Sequence, residues 1–549
     1  MQPARLRVRY QSYVVAYLAI LSFTLLSHGP LLHIPFHWDE MGQFIPASLD
    51  LYRDGSWIPH STLPNVHPPG VMAYLDVVWK LVGFSVTATR IAMLLVGTFG
   101  ILVTFLLAIE LSRGCPGTPA FAAAAFTLLS PLFFAQSMLA QLDMPAMCLS
   151  TLALLLFLQN RLRDSALVCV GLVLVKETGI IVPGVFGIWL VAERRYRAAA
   201  WFLLPLVPLA GWLSILRAST GHWLGNQAFA DYNAVYLLHP VRLFVALFRR
   251  LYYVLVSDGH FVGWIAVGWA SRRMPQLRHR AWRVSGAFAA AHVVAFSFIG
   301  GAILERYLLP VLPVLYSLFA VALTAVPVQW RRRATALLLF GLVGSNWINP
   351  PYPFPFENNL LFATFAELGA KTAGSIELRQ GSIATTFPMS AALRHPEYGY
   401  VSREREVVEL AGFREKDIAG LQADRPDMVV VYDTTWDPLG ILDSGPARWL
   451  QSTYFGYEPQ LTDRAIAERL SMRVVHQWRQ RGLTMSLLAR GPFPSFRLKP
   501  LPPPKPPAAL PIPRAYFFRK MDFGIMPCTP FFPSTNCVMA KSAATLDNM

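Results

Sequence analysis

The chain has 549 residues, 54% of them hydrophobic, with a mean hydropathy of +0.41 and a formal net charge of +16. Such an apolar excess excludes a soluble multidomain protein, and the arginines lie between apolar runs rather than on one polar face, which speaks against nucleic acid as their partner. Five cysteines, two of them (Cys148 and Cys169) inside apolar runs, do not make a disulfide framework.

Residues 91–109 contain no charge, and a bilayer-spanning helix needs about 20 predominantly apolar residues. Lipid offers the backbone no partner but itself, so runs of this kind are expected as helices. Arg5, Arg7 and Arg9 precede a first span at 12–31, retained rather than cleaved, and predict a cytoplasmic N-terminus. A polar outer loop, 32–87, follows; its end at 71–84 is expected as an interfacial helix with Val71, Tyr74, Leu75, Val78 and Val82 on one face and Asp76 paired to Lys80. Further spans are expected at 88–111 and 119–135, then one after a short outer connection ending near Pro145. The run 166–192 is too long for one crossing and short for two, and arginines flank both its ends. It is expected as a down-and-back helix pair with Lys176-Glu177 at the outer turn. Spans near 199–216, 252–270 and 284–303, one beyond Arg306 and one at 334–348 complete the series, with 240–251 as an interfacial helix. Arginine gathers at alternate connections, and the positive-inside rule then gives about eleven spans with the chain after residue 349 outside.

After residue 350 the composition becomes that of a soluble domain. Segments 381–387 and 428–432 read as buried strands, 403–410 and 463–470 as helices, and 473–478 with 483–488 as a hairpin across Arg481-Gly482. The predicted plan is an all-α polytopic membrane domain over 1–349, a small α/β extracytoplasmic domain over 350–492, and a proline-rich tail over 493–549 that is extended or disordered.

Candidate chemistry gathers on the outer side. Asp39-Glu40 sits among aromatics in the first outer loop; adjacent residues do not share a helix face, so one of the two is expected to enter a site. A partly desolvated carboxylate is an effective general base, while the plain alternative is a solvated acidic pair. Asp143 stands at the lip of the fourth span, where the alternative is a helix N-cap with Pro145 in the first turn. Lys176, Arg306, Arg249 and Arg250 are cations at the same level, suited to a phosphate in a low-dielectric setting. Against that, Lys176 and Glu177 could neutralise each other, and interfacial arginines snorkel. His33, His37, His60 and His67 match no compact metal-binding spacing; neither a metal nor another cofactor is expected.

Trp38-Asp39-Glu40 followed by His67-Pro68-Pro69-Gly70 resembles the first outer loop of the protein O-mannosyltransferase and aminoarabinose-transferase group, membrane glycosyltransferases of the GT-C fold. Gln141-Leu142-Asp143, Val175-Lys176-Glu177-Thr178-Gly179 and Glu305-Arg306-Tyr307-Leu308-Leu309-Pro310 are similar too, so the resemblance covers residues 12–349. It implies an inverting enzyme of the cell (inner) membrane that uses a polyprenyl-phosphate sugar donor and a glycan, lipid or protein acceptor. It makes Asp39 the general base with Glu40 in support, and Asp143 the orienting acid. Lys176 with Glu177, Arg306 and the Arg249-Arg250 pair fall near the donor phosphate, and His67 shapes the loop. The chain lacks the β-trefoil insertion of the mannosyltransferases, which leaves a lipid or glycan acceptor open. The competing class is a polytopic transporter or lipid-linked-sugar flippase without transfer chemistry.

Overall fold

The computed structural model describes residues 2–115, 117–348, 350–442 and 444–490; the proline-rich tail, with Cys528 and Cys537, lies outside them. The apolar sequence folds as helices: α1 (Gln2–His28), then across the outer loop α2 (Ile45–Asp54) and α3 (Gly70–Val82), followed by α4 (Val86–Leu111) and α5 (Pro119–Leu129). Next come α6 (Pro131–Gln136), α7 (Asp143–Leu158), α8 (Leu162–Val175), α9 (Ile181–Ala192), α10 (Tyr196–Ala199), α11 (Leu206–Thr220) and α12 (Gln227–Ala230). The bundle closes with α13 (Pro240–Leu255), α14 (His260–Ser271), α15 (Arg280–Phe298), α16 (Leu312–Thr324) and α17 (Val328–Gly344).

Among the described residues, four stretches are long and apolar enough to cross a membrane: Ser12–Leu31, Val86–Leu111, Tyr196–Thr220 and Glu305–Thr324. Pro119–Leu129, Asp143–Leu158 and Glu177–Ala192 are shorter apolar helices. Several expected spans are thus broken. Ser130 turns extended (ψ 127°) between α5 and α6 because the ring of Pro131 disfavours helical backbone in the residue before it. The expected span over 252–270 is replaced by two helices that meet at Asp258 and Gly259, both left-handed (φ 56° and 80°). On α13 the apolar stripe of Phe244, Phe248 and Leu251 faces outward while Arg250 and Tyr253 are buried, as for a helix lying against lipid. On α3 the Asp76–Lys80 pair forms at 2.8 Å, but the buried face is Val71, Leu75 and Trp79, with Val82 exposed.

Beyond the bundle lie β1 (Tyr352–Pro353), α18 (Leu361–Glu377), β2 (Ile383–Thr386), α19 (Met389–Arg394), β3 (Val407–Leu410), α20 (Glu415–Asp424) and β4 (Met428–Tyr432). They are followed by β5 (Thr435–Trp436), α21 (Gly445–Phe455), α22 (Asp463–Arg469), β6 (Arg473–Gln480) and β7 (Leu483–Ala489). Five of these strands form a mixed sheet in the order β3-β2-β4-β7-β6. Strand β2 runs parallel to β3 and β4, and β7 antiparallel to β4 and β6, with Val430 opposite Leu487. The segment expected as a helix over 403–410 instead supplies β3, because Val407-Val408 pairs with Ile383-Ala384 and β-branched side chains favour a pleated, half-buried surface over a helix.

This sheet does not stand apart from the outer loop. One continuous hydrophobic core joins Phe36, Phe44 and Trp79 to Phe362, Phe365, Val430 and Leu487. The Phe36 amide donates to the Tyr398 carbonyl at 3.1 Å, the Tyr400 hydroxyl donates to the Phe36 carbonyl at 3.0 Å, and His37 Nε2 lies 2.8 Å from the Pro355 carbonyl. The change of composition at residue 350 is therefore not a break in packing. Phe365 sits at the join, its ring against His37, Phe354 and Tyr432. Phe365→Ala is expected to cost about 3–5 kcal/mol of stability and to speed amide hydrogen exchange both in 36–44 and in β4. Faster exchange in β4 alone would contradict the shared core.

Candidate active site

Two connections between helices carry the acids, and an ion pair holds them together. Glu40 is fully buried and accepts from both Arg90 nitrogens, Nη1 at 2.5 Å and Nη2 at 2.9 Å. It also accepts from the backbone amides of His37 at 2.9 Å and Ala140 at 2.6 Å. Arg90 in turn donates to the carbonyls of Pro35 and Met138. One carboxylate thus ties residues 35–40, residues 138–140 and helix α4 into a unit. A buried pair of this kind holds only when its remaining hydrogen-bonding capacity is satisfied, which the two backbone amides and two carbonyls help to do.

Next to this staple, Trp38 adopts a left-handed backbone (φ 44°), a conformation a bulky residue takes only where its surroundings impose it. Its indole is fixed by the rings of Phe354 at 4.4 Å and Phe387 at 5.1 Å. The turn aims Asp39 at Arg306, whose Nη2 donates to Asp39 Oδ2. The same guanidinium reaches Asp143 Oδ2 through Nε at 3.2 Å, and through Nη1 it donates to Glu357 Oε2 and, at 2.8 Å, to Gln141 Oε1.

Asp143 is the first residue of α7, after Leu142 in the N-cap place, and its carboxylate turns to Lys176, whose Nζ donates to Oδ1 at 2.5 Å. Lys176 can reach it because α8 ends there: its backbone is extended (φ −150°, ψ 124°) between α8 and the turn at Glu177–Ile180. The ammonium also stands over the Tyr307 ring at 4.4 Å, an attractive arrangement for a desolvated cation. Glu177 pairs with His67 Nδ1 at 2.9 Å rather than with its neighbour Lys176. Gly70 makes this junction fit, since a Cβ there would lie 2.4 Å from the Leu174 carbonyl oxygen.

Asp39, Asp143, Lys176, Glu177, His67 and Arg306 all line one cavity of about 230 Å³, walled by Trp38, Phe229, Tyr232, Phe296 and Tyr307 among others. The remaining predicted residues lie elsewhere. Glu40 does not line the cavity and acts from behind as the staple described above. Arg249 pairs with Glu305, which also accepts from Asn358 at 3.0 Å. Arg250 is buried behind Tyr307 and donates to the carbonyls of Phe296 at 2.8 Å and Leu304 at 3.1 Å. Adjacent positions on a helix diverge by about 100°, so the two arginines serve different neighbours and neither reaches the cavity. Among the described residues no group of His, Cys, Asp or Glu could hold a metal ion.

The sequence does not point to Glu357. It is a lone acid after Phe354-Pro355-Phe356, with no periodicity or motif around it, and only the fold carries it 51 positions back to Arg306. Arg90 is the other omission; a charge within the apolar run of α4 is the signal that marks it. Around Arg306 there are three carboxylates (Asp39, Asp143, Glu357) to two cations, Arg306 and Lys176. Burial pushes the Glu357 carboxyl up to about 8, with Asp39 and Glu40 adding to the effect and Arg306 opposing it.

Arg306→Met would take the cation from buried Asp39 and Glu357 while Asp143 keeps Lys176, and is expected to destabilise the protein by about 3–5 kcal/mol, read by thermal or chemical denaturation in detergent. Glu357 gives a pH signature. Its folded-state affinity for a proton exceeds the unfolded one, so the folded protein binds more protons between pH 4.5 and about 8, and stability falls as pH rises through that window. Glu357→Gln is expected to flatten that part of the stability–pH curve, and an unchanged slope would assign it to another group.

No family model and no curated protein matches the chain. Among solved structures it is similar to ArnT from Cupriavidus metallidurans bound to undecaprenyl phosphate, at 16% identity and TM-score 0.49, over 87% of this chain and 98% of that one. ArnT is an aminoarabinose transferase, one of the group that the outer-loop motifs resemble. The chain is also similar to the Archaeoglobus fulgidus oligosaccharyltransferase in complex with Zn and sulfate (11% identity, TM-score 0.42, 76% and 67% covered). A third is the arabinofuranosyltransferase AftD from Mycobacteria (16% identity, TM-score 0.42, 78% and 35% covered). All three are likenesses of general plan, with TM-scores below 0.5.

Proposed function

We propose that the chain is an integral-membrane glycosyltransferase that moves a sugar from a polyprenyl-phosphate donor to an acceptor hydroxyl at the extracytoplasmic face, with inversion. The observation that carries this is the convergence of Asp39 and Asp143, from loops a hundred residues apart, on one cavity that also holds Lys176 and Arg306. This reaction needs a base and phosphate-binding cations within a few ångströms of each other, and the carboxylates and cations of this cavity are near enough to serve. The cavity is below the roughly 300–1,000 Å³ of pockets for drug-sized ligands, which suits a single sugar ring better than a long glycan.

The orientation has its own support. The acid cluster lies at one end of α7, α8 and α9, and arginines 161, 163, 195 and 197 lie at the other, as the positive-inside rule asks of an outward-facing site. The apolar helices around the cavity would keep the donor's isoprenoid tail in the bilayer beside it.

The chemistry follows from charge. Asp39 Oδ2 is occupied by Arg306 in the free protein and is not open to an acceptor hydroxyl. An incoming phosphate ester competes for the same guanidinium and draws it away, which frees the Asp39 carboxylate. Asp39 then takes the proton of the acceptor hydroxyl as its oxygen bonds to the anomeric carbon. The bond from that carbon to the phosphate oxygen breaks on the opposite face, and the lipid phosphate leaves with the electron pair. Lys176 and Arg306 stabilise the developing negative charge, in a site whose burial strengthens both interactions. Asp143 spaces the two cations and Glu357 holds Arg306 from the side away from Lys176.

Asp39→Asn is expected to lower transfer by about 10²–10⁴-fold, the usual contribution of a positioned base, while binding of the lipid-linked donor is retained. The measurement is release of lipid phosphate by purified protein offered a panel of polyprenyl-phosphate sugars. Wild-type turnover by the variant would remove Asp39 as base, and transbilayer movement of the lipid without phosphate release would favour a carrier.

A further inference from the structure

At the end of the bundle opposite the acid cluster, the turns α7–α8 and α9–α10 meet around an open pocket of about 480 Å³. Its wall includes Asn160, Arg161, Arg163, Arg195, Arg197 and Trp201. The sequence treats these arginines as topology determinants only, and a positive-inside bias needs no pocket. Here they are gathered into one concavity and tied to each other. Arg195 Nη2 donates to Asn160 Oδ1 at 2.8 Å, which joins the two turns, and Arg163 stacks over the Trp201 ring at 5.0 Å.

The charge in this pocket is not balanced by protein. Arg161 is matched by Asp164 at 2.6 Å. Glu193 lies 3.8 Å from Arg195 but is held more closely by Arg280, at 2.6 Å. Arg163 and Arg197 have no carboxylate partner among the described residues. The unbalanced cations therefore face solvent in a recess that a small anion could enter.

Two features decide which anion. The first is depth: α7 has 16 residues and spans about 24 Å, close to the ~30 Å of a bilayer's hydrocarbon core. With Asp143 at the outer boundary, Asn160 falls within about 6 Å of the opposite boundary, a gap that long arginine side chains bridge to the headgroups. The second is the neighbouring surface. Leu167, one turn beyond Arg163 on α8, and Leu203 and Val207, which follow Trp201 along the chain, are exposed, as is Trp201 in the pocket wall, so apolar surface for acyl chains leads away from the basic recess, with an interfacial ring at its edge. A free phosphate would use the recess alone.

We propose that this pocket binds the phosphate headgroup of an anionic phospholipid in the leaflet opposite the acid cluster, with Arg163 and Arg197 as its main contacts and the acyl chains along Leu203 and Val207. This does not depend on the transfer reaction. The test is native mass spectrometry of the full chain, purified and delipidated, then offered phosphatidylglycerol or phosphatidylcholine of identical acyl chains. Phosphatidylglycerol is expected to be retained in preference, and its retention to fall about fivefold for each arginine removed in Arg163→Gln and Arg197→Gln. Among the described residues the Arg197 side chain has no hydrogen-bond, ion-pair or ring partner, so its variant separates binding from stability. Arg331→Gln with Arg332→Gln, the same loss of charge outside the pocket, should leave retention unchanged. Equal retention of the two lipids, undiminished retention by the double pocket variant, or an equal loss in the control would each overturn the proposal. Displacement of phosphatidylglycerol by equimolar glycerol 3-phosphate or inorganic phosphate would overturn it in favour of a free-anion site.

Discussion

A single guanidinium joins three parts of this protein that the chain keeps far apart. Arg306 accepts the company of Asp39 from the first outer loop, Asp143 from the start of α7 and Glu357 from the segment that leads into the C-terminal sheet. Each carboxylate is buried and would be untenable there alone, since an unpaired charge at such depth is strongly disfavoured. Arginine suits this place because its planar fork presents several donors in fixed directions, whereas a lysine offers one compact charge. Lys176 takes the simpler task of neutralising Asp143 from the other side.

The hub works only if the acid-bearing loops are held still, and that is the task of the second buried pair. Glu40 and Arg90 lock 35–40 against 138–140, so the two adjacent acids at positions 39 and 40 divide their labour: Glu40 turns inward to hold the backbone and Asp39 faces the cavity. The C-terminal sheet adds to this through the common core and the bonds from Tyr398, Tyr400 and Pro355 to residues 36 and 37. Helix α18 and strand β4 thus act as a backing for the outer loop, which gives a physical role to a segment that by composition looks like an appended domain.

Much of this was legible in the sequence. The apolar runs predicted a helical bundle, and the structure forms it; Lys176 was expected at a helix break inside 166–192, and it stands at one. The hairpin across Arg481-Gly482 and the strands at 383–386 and 428–432 follow from alternation, β-branched content and a glycine turn. The candidate acids and cations stand out by residue type and by their position between apolar runs poor in arginine. Short-range signals compete elsewhere: β-branched Val407-Val408 beside charged residues looks helical until β2 offers it a partner, and Ser130 and Asp258 interrupt runs that composition alone treats as continuous.

The order of residues settles what is local or one-dimensional, namely hydropathy, helix periodicity, and the placing of polar and charged residues between apolar runs. Which of those residues meet follows from the packing of the folded chain. It gave Asp39, Asp143, Lys176 and Arg306 a common cavity, sent Arg249 and Arg250 to other neighbours, turned Glu40 into a staple, and brought in Glu357, which no motif marks. The reason is that pairing of buried charges depends on distance and dielectric in three dimensions. Neither quantity is written in the order of residues along a chain.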